Sequence, residues 1–182
     1  MKIIGDNGVS LATMQVEDAE FLLQLRTDSA LNQHLSAVDG TLQQQQNFIA
    51  KCLKNQEQKQ EYFFAIEYQD QKVGTVRLYD IDYEKNIATW GSWIVKQGNP
   101  GLVALSSAYL SYYFCFNNLK NIDKIMIDVR KDNKKAFDIY SLYCDFLYED
   151  ELNYYLEFKK ENFNKFTDKF LSKIANNIKI YE

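Results

Sequence analysis

The stretch "VKQGNPGLVALSSAYLSYYF", residues 95–114, holds the only proline of the chain between two of its seven glycines, directly before a long apolar helical pattern. Pro100 has no backbone N–H and a fixed φ, which predicts the first helical position, with Asn99 as N-cap and Gly98 in a tight turn. The first N–H groups of a helix have no intrahelical partner and carry the positive end of its dipole. This terminus therefore suits a phosphate or another anion, although many similar junctions bind no ligand.

The composition limits the class of protein. A chain of 182 residues with 46% apolar content has room for one domain with a sizeable core, and its 12 Phe and 13 Tyr predict an aromatic interior. The formal net charge of −4 argues against nucleic acid as a partner, because binding a phosphate backbone requires a basic surface.

Metal binding and membrane insertion are not indicated either. Cys52, Cys115 and Cys144 show no CxxC spacing, and His34 is the only histidine, so we expect reduced, buried thiols and no metal site. The N-terminus lacks the apolar run of a signal peptide, and no span of about twenty apolar residues occurs anywhere. These features predict a soluble cytoplasmic protein without a membrane partner.

The pattern of apolar residues predicts the element order β-α-α-β-β-β-α-β-α-β-β-α. The central part reads as a three-stranded antiparallel meander, in which Gly91 lies inside the third strand. An interior glycine of this kind often marks a bulge or a close approach by another group. The expected strands cover residues 8–15, 61–69, 72–82, 86–95, 123–130, 145–151 and 154–160. Helices are expected at 16–29, 39–56, 102–116 and 132–144, the last capped by Asp132 or Asn133.

The C-terminal segment carries apolar residues at helical spacing with lysines between them. We therefore expect a domain over residues 1–160 and an amphipathic helix over 161–182 that packs on the same domain. A dimer face or a membrane-surface helix is the alternative interpretation of this tail, so a homodimer is possible. The apolar positions are Phe163, Phe166, Phe170, Ile174 and Ile178.

Three segments, in this order along the chain, resemble the GNAT superfamily of acyl-CoA-dependent N-acetyltransferases. "VGTVRLYDIDYEKNIATWGSWIV" (73–95) is similar to the ribosomal-protein and amino-sugar branch of that family. "QGNPGLVA" (97–104) resembles the family loop Q/R-x-x-G-x-G/A with one extra residue, and "NKKAFDIY" (133–140) resembles N-x-x-A-x-x-x-Y. The resemblance covers roughly residues 9–160 and implies a mixed α/β (α+β) fold, with a mostly antiparallel sheet flanked by helices.

The resemblance also implies acetyl-CoA as co-substrate. In the family, loop N–H groups hold the CoA pyrophosphate, and the pantetheine lies where the fourth and fifth strands part. Backbone N–H groups there polarise the thioester carbonyl. The implied cofactor contacts are Trp93, Ile94 and Val95 on the strand, Gln97, Gly98, Asn99, Gly101, Leu102 and Val103 in the loop and first helical turn, and Asn133 and Ala136 on the later helix.

The implied reaction is a direct transfer in which Tyr140 gives a proton to the departing thiolate. Tyr140 lies seven residues after Asn133, so both fall near one helix face, two turns apart. An acceptor ammonium also needs a base, which family members often place as a glutamate on the fourth strand. This strand has no carboxylate, so the candidates are Asp82 (with Asp80 beside it) and His34, each of which has a purely structural interpretation as well.

Our prediction of the acceptor is based on the aromatic residues around the predicted site. Tyr79, Tyr83, Trp90 and Trp93 offer flat faces for a sugar ring or a base, although aromatic residues at strand spacing are more often core. We expect a small primary amine, first a nucleotide-linked amino sugar, then a protein N-terminus, then a polyamine. A non-catalytic CoA-binding module is the alternative from another class, since the loop is degenerate and the strand lacks a carboxylate.

Overall fold

The computed structural model describes residues 1–28, 31, 40–170 and 177–181. This part of the chain forms one nine-stranded sheet with helices packed against it, as expected for a mixed α/β fold. The strands are β1 (Lys2–Gly5), β2 (Val9–Thr13), β3 (Tyr62–Tyr68), β4 (Gln71–Asp82), β5 (Ile87–Val95), β6 (Lys124–Arg130), β7 (Asp145–Glu149), β8 (Asn153–Lys159) and β9 (Ile178–Tyr181). The helices are α1 (Ala19–Thr27), α2 (Leu42–Glu57), α3 (Gly101–Asn118), α4 (Lys134–Tyr140) and α5 (Phe163–Phe170).

The strand order in the sheet is β7-β8-β6-β5-β4-β3-β2-β1-β9. Strands β3 to β5 form the expected antiparallel meander, and β2 pairs antiparallel with the free edge of β3. Among the described strands only β5 and β6 pair in parallel, and α3 supplies the crossover connection that a parallel pair requires. The sheet is therefore mostly antiparallel, as predicted.

The parallel pair β5 and β6 separates halfway along its length. Its ladder runs from Ile87 opposite Lys124 to Trp90 opposite Ile127 and then stops. On its other edge β5 carries a bulge, since Thr75 pairs with Ile94 and Arg77 with Gly91, which leaves two residues of β5 opposite one of β4. The bulge predicted near Gly91 is thus present, and the bend that it introduces accompanies the separation from β6.

Helix α3 is apolar on nearly all sides and is buried against the sheet. Its Tyr112 packs against Trp90 with ring centroids 5.1 Å apart. Its Ser111 hydroxyl accepts a hydrogen bond from Trp90 Nε1 at 2.9 Å, which satisfies the indole donor inside the core. Trp90 is therefore a core residue whose polar atom has a fixed partner.

The start of α3 differs from the prediction by one residue. Pro100 is the N-cap rather than the first helical residue, with an extended ψ of 144°, and its carbonyl accepts from the Val103 N–H at 2.9 Å. Asn99 does not cap the helix, because its side-chain amide donates to the Lys96 carbonyl at 2.9 Å and closes the preceding turn. At α4 the cap is Asn133, whose Oδ1 accepts from the Ala136 N–H at 3.2 Å.

Both ends of the chain form strands that the sequence analysis did not predict. β1 pairs with β2 on one side and with β9 on the other, from Gly5 opposite Ile178 to Lys2 opposite Tyr181. Ile178 therefore lies in a strand, so the expectation of one helix over residues 161–182 is wrong. Two short segments can form this edge because each satisfies the backbone hydrogen bonds of the other. Ile174 lies outside the described residues.

The helix of the tail, α5, packs on the core. Phe166 of α5 is only 1% exposed, and its ring lies 5.5 Å from Tyr112, 4.8 Å from Tyr143 and 6.1 Å from Phe158, centroid to centroid. This aromatic cluster extends the core at the part of the sheet formed by β6 and β8. The aromatic interior that the composition predicts is confirmed.

Candidate active site

A cleft of about 730 Å³ opens where β5 and β6 separate. It is large enough for a small-molecule ligand, and it lies where the sheet leaves one edge of β5 unpaired. Its lining comes from five elements, α1, β4, β5, β6 and α4, together with Ala104 of α3 and Leu31. Six of the predicted site residues line it: Trp93, Ile94, Val95, Asn133, Ala136 and Tyr140.

The predicted phosphate loop, residues 97–103, does not line this cleft itself but connects Val95 to Ala104, which both do. Gly98 has a φ of 85°, a left-handed conformation that favours glycine. A Cβ added at Gly98 or Gly101 would meet no atom within 4 Å, so the space beside this loop is open. Since glycine leaves that space clear, the backbone there is accessible to a ligand.

The individual loop residues differ in what they can offer. The side chain of Val103 is fully buried and its N–H already bonds to Pro100, so neither group is free. The N–H groups of Gly101 and Leu102, by contrast, lie in the first helical turn, where no intrahelical acceptor exists. The amide of Asn99 is engaged with Lys96, and Gln97 is exposed.

Tyr140 is the last residue of α4, only 6% exposed, and it lines the cleft. Its ring stands edge-on to Trp90, with centroids 6.0 Å apart. Burial, with smaller effects of Cys144 and Asp128, raises its pKa well above the ordinary range, so the phenol stays protonated at neutral pH. Among the described residues its hydroxyl has no hydrogen-bond partner, which leaves it available to donate into the cleft.

Asp128 is the functional candidate that the sequence analysis missed. It follows Ile127, the last residue of β6 that pairs with β5, and it is the only carboxylate among the described residues that line the cleft. Asp128 is an exposed residue, but the groups around its carboxyl partly remove it from water and raise its pKa, and Asp150 adds to the shift. The available signal was an acidic residue that interrupts the otherwise apolar run "IMIDV" just where the strands part.

The structure does not bring Asp82 to this cleft. Asp82 lies at the turn between β4 and β5, where its Oδ1 accepts from the backbone N–H groups of Glu84 and Lys85 at 3.0 and 2.9 Å. Its Oδ2 accepts from Lys85 Nζ at 2.7 Å, and these bonds, first of all the one from the lysine side chain, lower its pKa. A carboxylate with a lowered pKa that holds a turn together is a poor proton acceptor. His34 lies outside the described residues.

The wall of the cleft is basic on both sides. Arg26 of α1 and Arg77 of β4 line one side, and Arg130 and Lys135 line the side nearer α4. Asp128 is the one carboxylate among the described lining residues; outside the lining, Glu61 pairs with Arg77 at 2.9 Å and Asp132 with Arg130 at 3.3 Å. Clefts lined by one sign of charge attract ligands of the opposite sign, so the site favours anionic ligands.

The described part of the chain contains neither a membrane-spanning helix nor a metal-binding cluster. No helix within it is both long and apolar enough to cross a bilayer. Its His, Cys, Asp and Glu side chains form no group of three or more that could hold a metal ion.

Comparison with known proteins assigns the fold. Residues 9–141 match the family model described as an acetyltransferase (GNAT) domain. Among solved structures, apo FdhC, a nucleotide-linked sugar GNAT, superposes with a TM-score of 0.80 at 28% identity, covering 91% of this chain and 94% of that one. No curated protein sequence gave a significant match.

Two further structures show how widely this fold is used. RimL, a ribosomal-protein α-N-acetyltransferase solved with coenzyme A, has a TM-score of 0.75 at 12% identity, with 87% of this chain and 98% of that one covered. A spermidine N-acetyltransferase SpeG variant from Vibrio cholerae has a TM-score of 0.70 at 17% identity, with the same coverage. The family match spans well over half of the chain, and the predicted resemblance is confirmed: the chain belongs to the GNAT family and is an acetyl-CoA-dependent N-acetyltransferase.

Proposed function

We propose that this enzyme transfers the acetyl group of acetyl-CoA to the primary amine of a nucleotide-linked amino sugar. The observation that carries the proposal is the composition of the cleft, which combines a protonated tyrosine and one carboxylate with cations on both walls. The similarity to a nucleotide-linked sugar GNAT at 28% identity supports the same acceptor class.

Acetyl-CoA would lie along the unpaired edge of β5. Beyond Trp90 this edge has no β6 partner, so backbone groups of residues 93–95 can bond to the pantetheine amides. The open space beside Gly98 and Gly101, with the free N–H groups of the first turn of α3, suits the diphosphate. Gln97, Asn99, Leu102, Asn133 and Ala136 would complete the contacts, whereas Val103 supports the turn from the core.

The protons move between two side chains of this chain and the reactants. Asp128 would accept a proton from the acceptor ammonium, which frees the nitrogen lone pair to form the new N–C bond. As the C–S bond breaks, Tyr140 would donate its phenolic proton to the departing sulfur. The second proton that the nitrogen loses on becoming an amide would restore the phenol, and the proton on Asp128 would pass to solvent. A backbone N–H among residues 93–95 would stabilise the negative charge that develops on the carbonyl oxygen. No covalent bond to the enzyme is needed.

The charge of the cleft argues against a polyamine acceptor. Spermidine carries several positive charges, and the lining offers it Asp128 alone against four cations. Like charges that face each other across a binding surface are unfavourable, whereas the diphosphate of a sugar nucleotide would be attracted. Three acidic residues at and just after the end of β4, Asp80, Asp82 and Glu84, would favour a polyamine if they lined the cleft, but they are absent from its lining.

A panel of amines tests the proposal through release of free CoA thiol from acetyl-CoA. The panel contains UDP- and dTDP-linked amino sugars, the matching free amino sugars, spermidine and a peptide with a free N-terminus. We expect rapid thiol release with one or more nucleotide-linked sugars and little with the others. Turnover of spermidine or the peptide without turnover of any nucleotide-linked sugar would overturn the proposed acceptor. Binding of acetyl-CoA, seen as a raised melting temperature, without turnover of any amine would favour the non-catalytic module.

A further inference from the structure

Two arginines from different elements converge on one aromatic ring at the wall of the cleft. The guanidinium carbon of Arg26 lies 4.7 Å from the centroid of Phe48, and that of Arg77 lies 5.3 Å from the same centroid. Arg77 also stacks on Tyr79 at 4.0 Å. We call Arg26 and Arg77 the guanidinium pair. Both residues line the cleft, so the pair presents positive charge to a ligand there.

The position of Arg77 is fixed from behind. Its Nε lies 2.9 Å from Glu61 Oε1, and the Glu61 carboxylate is held in turn by Cys52 Sγ at 2.9 Å and Asn55 Nδ2 at 2.8 Å. Glu61 is only 7% exposed. The contact of Arg77 with Glu61 is an ion pair without hydrogen-bond geometry, and together with the stacking on Tyr79 it restrains the arginine. A preorganised arginine loses little entropy when it binds an anion.

The two guanidinium groups are partly removed from water and influence each other. Burial lowers the pKa of Arg26, and the charge of Arg77 lowers it further. Each guanidinium already has a polar neighbour inside the protein, since Arg77 lies against the Glu61 carboxylate and Arg26 Nη1 donates to Gln45 Oε1 at 3.3 Å, so a ligand anion would add contacts on the cleft side of the pair. Planar guanidinium groups are also suited to phosphate oxygens, which they bind with two parallel hydrogen bonds.

The sheet order separates this pair from the groups expected to bind coenzyme A. Arg77 lies on β4 and Arg26 on α1, whereas Asn133 and Lys135 follow β6. Because β5 lies between β4 and β6, the guanidinium pair and α4 occupy opposite sides of the strand that the pantetheine would follow. An anion at the pair therefore belongs to the acceptor half of the cleft.

We propose that the guanidinium pair binds the diphosphate of the acceptor, with Arg26 and Arg77 as its direct ligands. This inference rests on the proposed function, in which the acceptor is a nucleotide-linked sugar. It goes further by assigning the residues that distinguish that acceptor from a free amino sugar or a polyamine.

The test uses UDP and dTDP as probes and the full-length enzyme saturated with CoA, so that the phosphate sites of the cofactor are already filled. Isothermal titration calorimetry should show binding of a nucleoside diphosphate and weaker binding of the corresponding nucleoside. Arg26→Gln should weaken diphosphate binding about 10- to 100-fold, since it removes one charge-assisted contact. The affinity of Arg26→Lys for the diphosphate should lie between those of the wild type and of Arg26→Gln. In a separate titration that starts from CoA-free protein, the affinity of Arg26→Gln for CoA should differ from that of the wild type by less than about 2-fold, because the cofactor binds at a separate site.

Lys51→Gln is the matched control, because it removes one positive charge from an exposed position of α2, the helix that carries Phe48. It should leave diphosphate binding unchanged. Arg77 is not varied, because its loss would leave the buried Glu61 charge unpaired and could unfold the protein. The melting temperature of each Arg26 variant, measured without ligand, reports whether it remains folded.

Failure of this inference can be separated from failure of the proposed function. If nucleotide-linked sugars are acetylated but Arg26→Gln and Arg26→Lys turn them over with unchanged KM, the diphosphate subsite is wrong and the function stands. If no nucleotide-linked sugar is acetylated but diphosphate binding depends on Arg26, the subsite stands and the sugar acceptor is wrong. If neither UDP nor dTDP binds the CoA-saturated enzyme, the inference is overturned.

Discussion

The ring of Tyr140 stands edge-on to the indole of Trp90, with centroids 6.0 Å apart and an interplanar angle of 86°. Trp90 is the last residue of β5 that pairs with β6, and its ring is held by Ser111 and Tyr112 of α3. The contact therefore places the phenol at the point where the two strands begin to part. Core packing, rather than a hydrogen bond to the phenol itself, positions the group that we assign as proton donor.

Tyr140→Phe tests that assignment. The phenyl ring keeps the contact with Trp90, so stability and CoA affinity should change little. Turnover should fall by about 100-fold or more, because only the proton donor is lost. Single-turnover kinetics and a CoA titration measure the two quantities separately. A variant with undiminished kcat would show that Tyr140 takes no part in the chemistry.

Asp128→Asn tests the base. The pKa of Asp128 is raised, so the acid limb of the kcat/KM profile should lie above the range of an ordinary aspartate, with activity lost as the pH falls and the carboxylate takes up its proton. Tyr79 and Tyr140 stay protonated across this limb, since burial raises both of their pKa values. Asp128→Asn should lose most of its activity, and its remaining kcat/KM should no longer show this acid limb. Asp128→Glu should restore part of the activity and part of the pH dependence. An unchanged limb in Asp128→Asn would assign the titration to another group.

The raised pKa of Asp128 also predicts how Asp128→Asn changes the stability of the protein with pH. A carboxyl group whose pKa is raised by folding binds its proton more tightly in the native state, so its contribution to stability is largest at low pH and is lost as the pH rises through the folded pKa. Because Asp128 is exposed and solvent screens its charge, Asp128→Asn should raise the melting temperature only slightly at pH 8 relative to the wild type, and raise it less at pH 4. Calorimetry at both pH values measures the difference, and the reverse order would contradict the raised pKa.

Ser111→Ala should destabilise the core beneath the site. The substitution leaves the buried Nε1–H of Trp90 without its acceptor, which costs about 1–3 kcal/mol. Ser141→Ala is the matched control, because its hydroxyl bonds to the Phe137 carbonyl at an exposed position. Urea unfolding of both variants gives the comparison, and equal midpoints would mean that the indole bond adds nothing to stability.

Gly74→Ala should damage the cleft through the backbone. A Cβ at this position would lie 2.1 Å from the Ile94 carbonyl oxygen, so β4 and β5 would have to move apart beside the bulge. We expect a loss of about 3 kcal/mol or more, together with weaker CoA binding. Gly101→Ala meets no neighbouring atom and should leave the free energy of unfolding nearly unchanged. Chemical denaturation with and without CoA checks both, and a Gly74→Ala protein of normal stability would refute the predicted clash.

Features that depend on neighbours in the chain were predictable from the sequence. The β3–β4 hairpin, the bulge beside Gly91 and the cap at Asn133 follow from local preferences of the backbone and of short polar side chains. The order of the cofactor motifs along the chain is itself sufficient to indicate the family. Even here the helix start shifted by one residue, because Asn99 bonds to the preceding turn instead of to the helix.

Features that join distant parts of the chain required the tertiary structure. The pairing of β1 with β9, the convergence of Arg26 and Arg77 on Phe48, and the opening of Asp128 onto the cleft each depend on segments far apart in sequence. The periodicity of a segment shows which of its faces is buried but not which distant segment covers it. Long-range pairing and packing decide that, and so the sequence determined the fold class and the tyrosine, while only the folded sheet placed the carboxylate and the cations of the site.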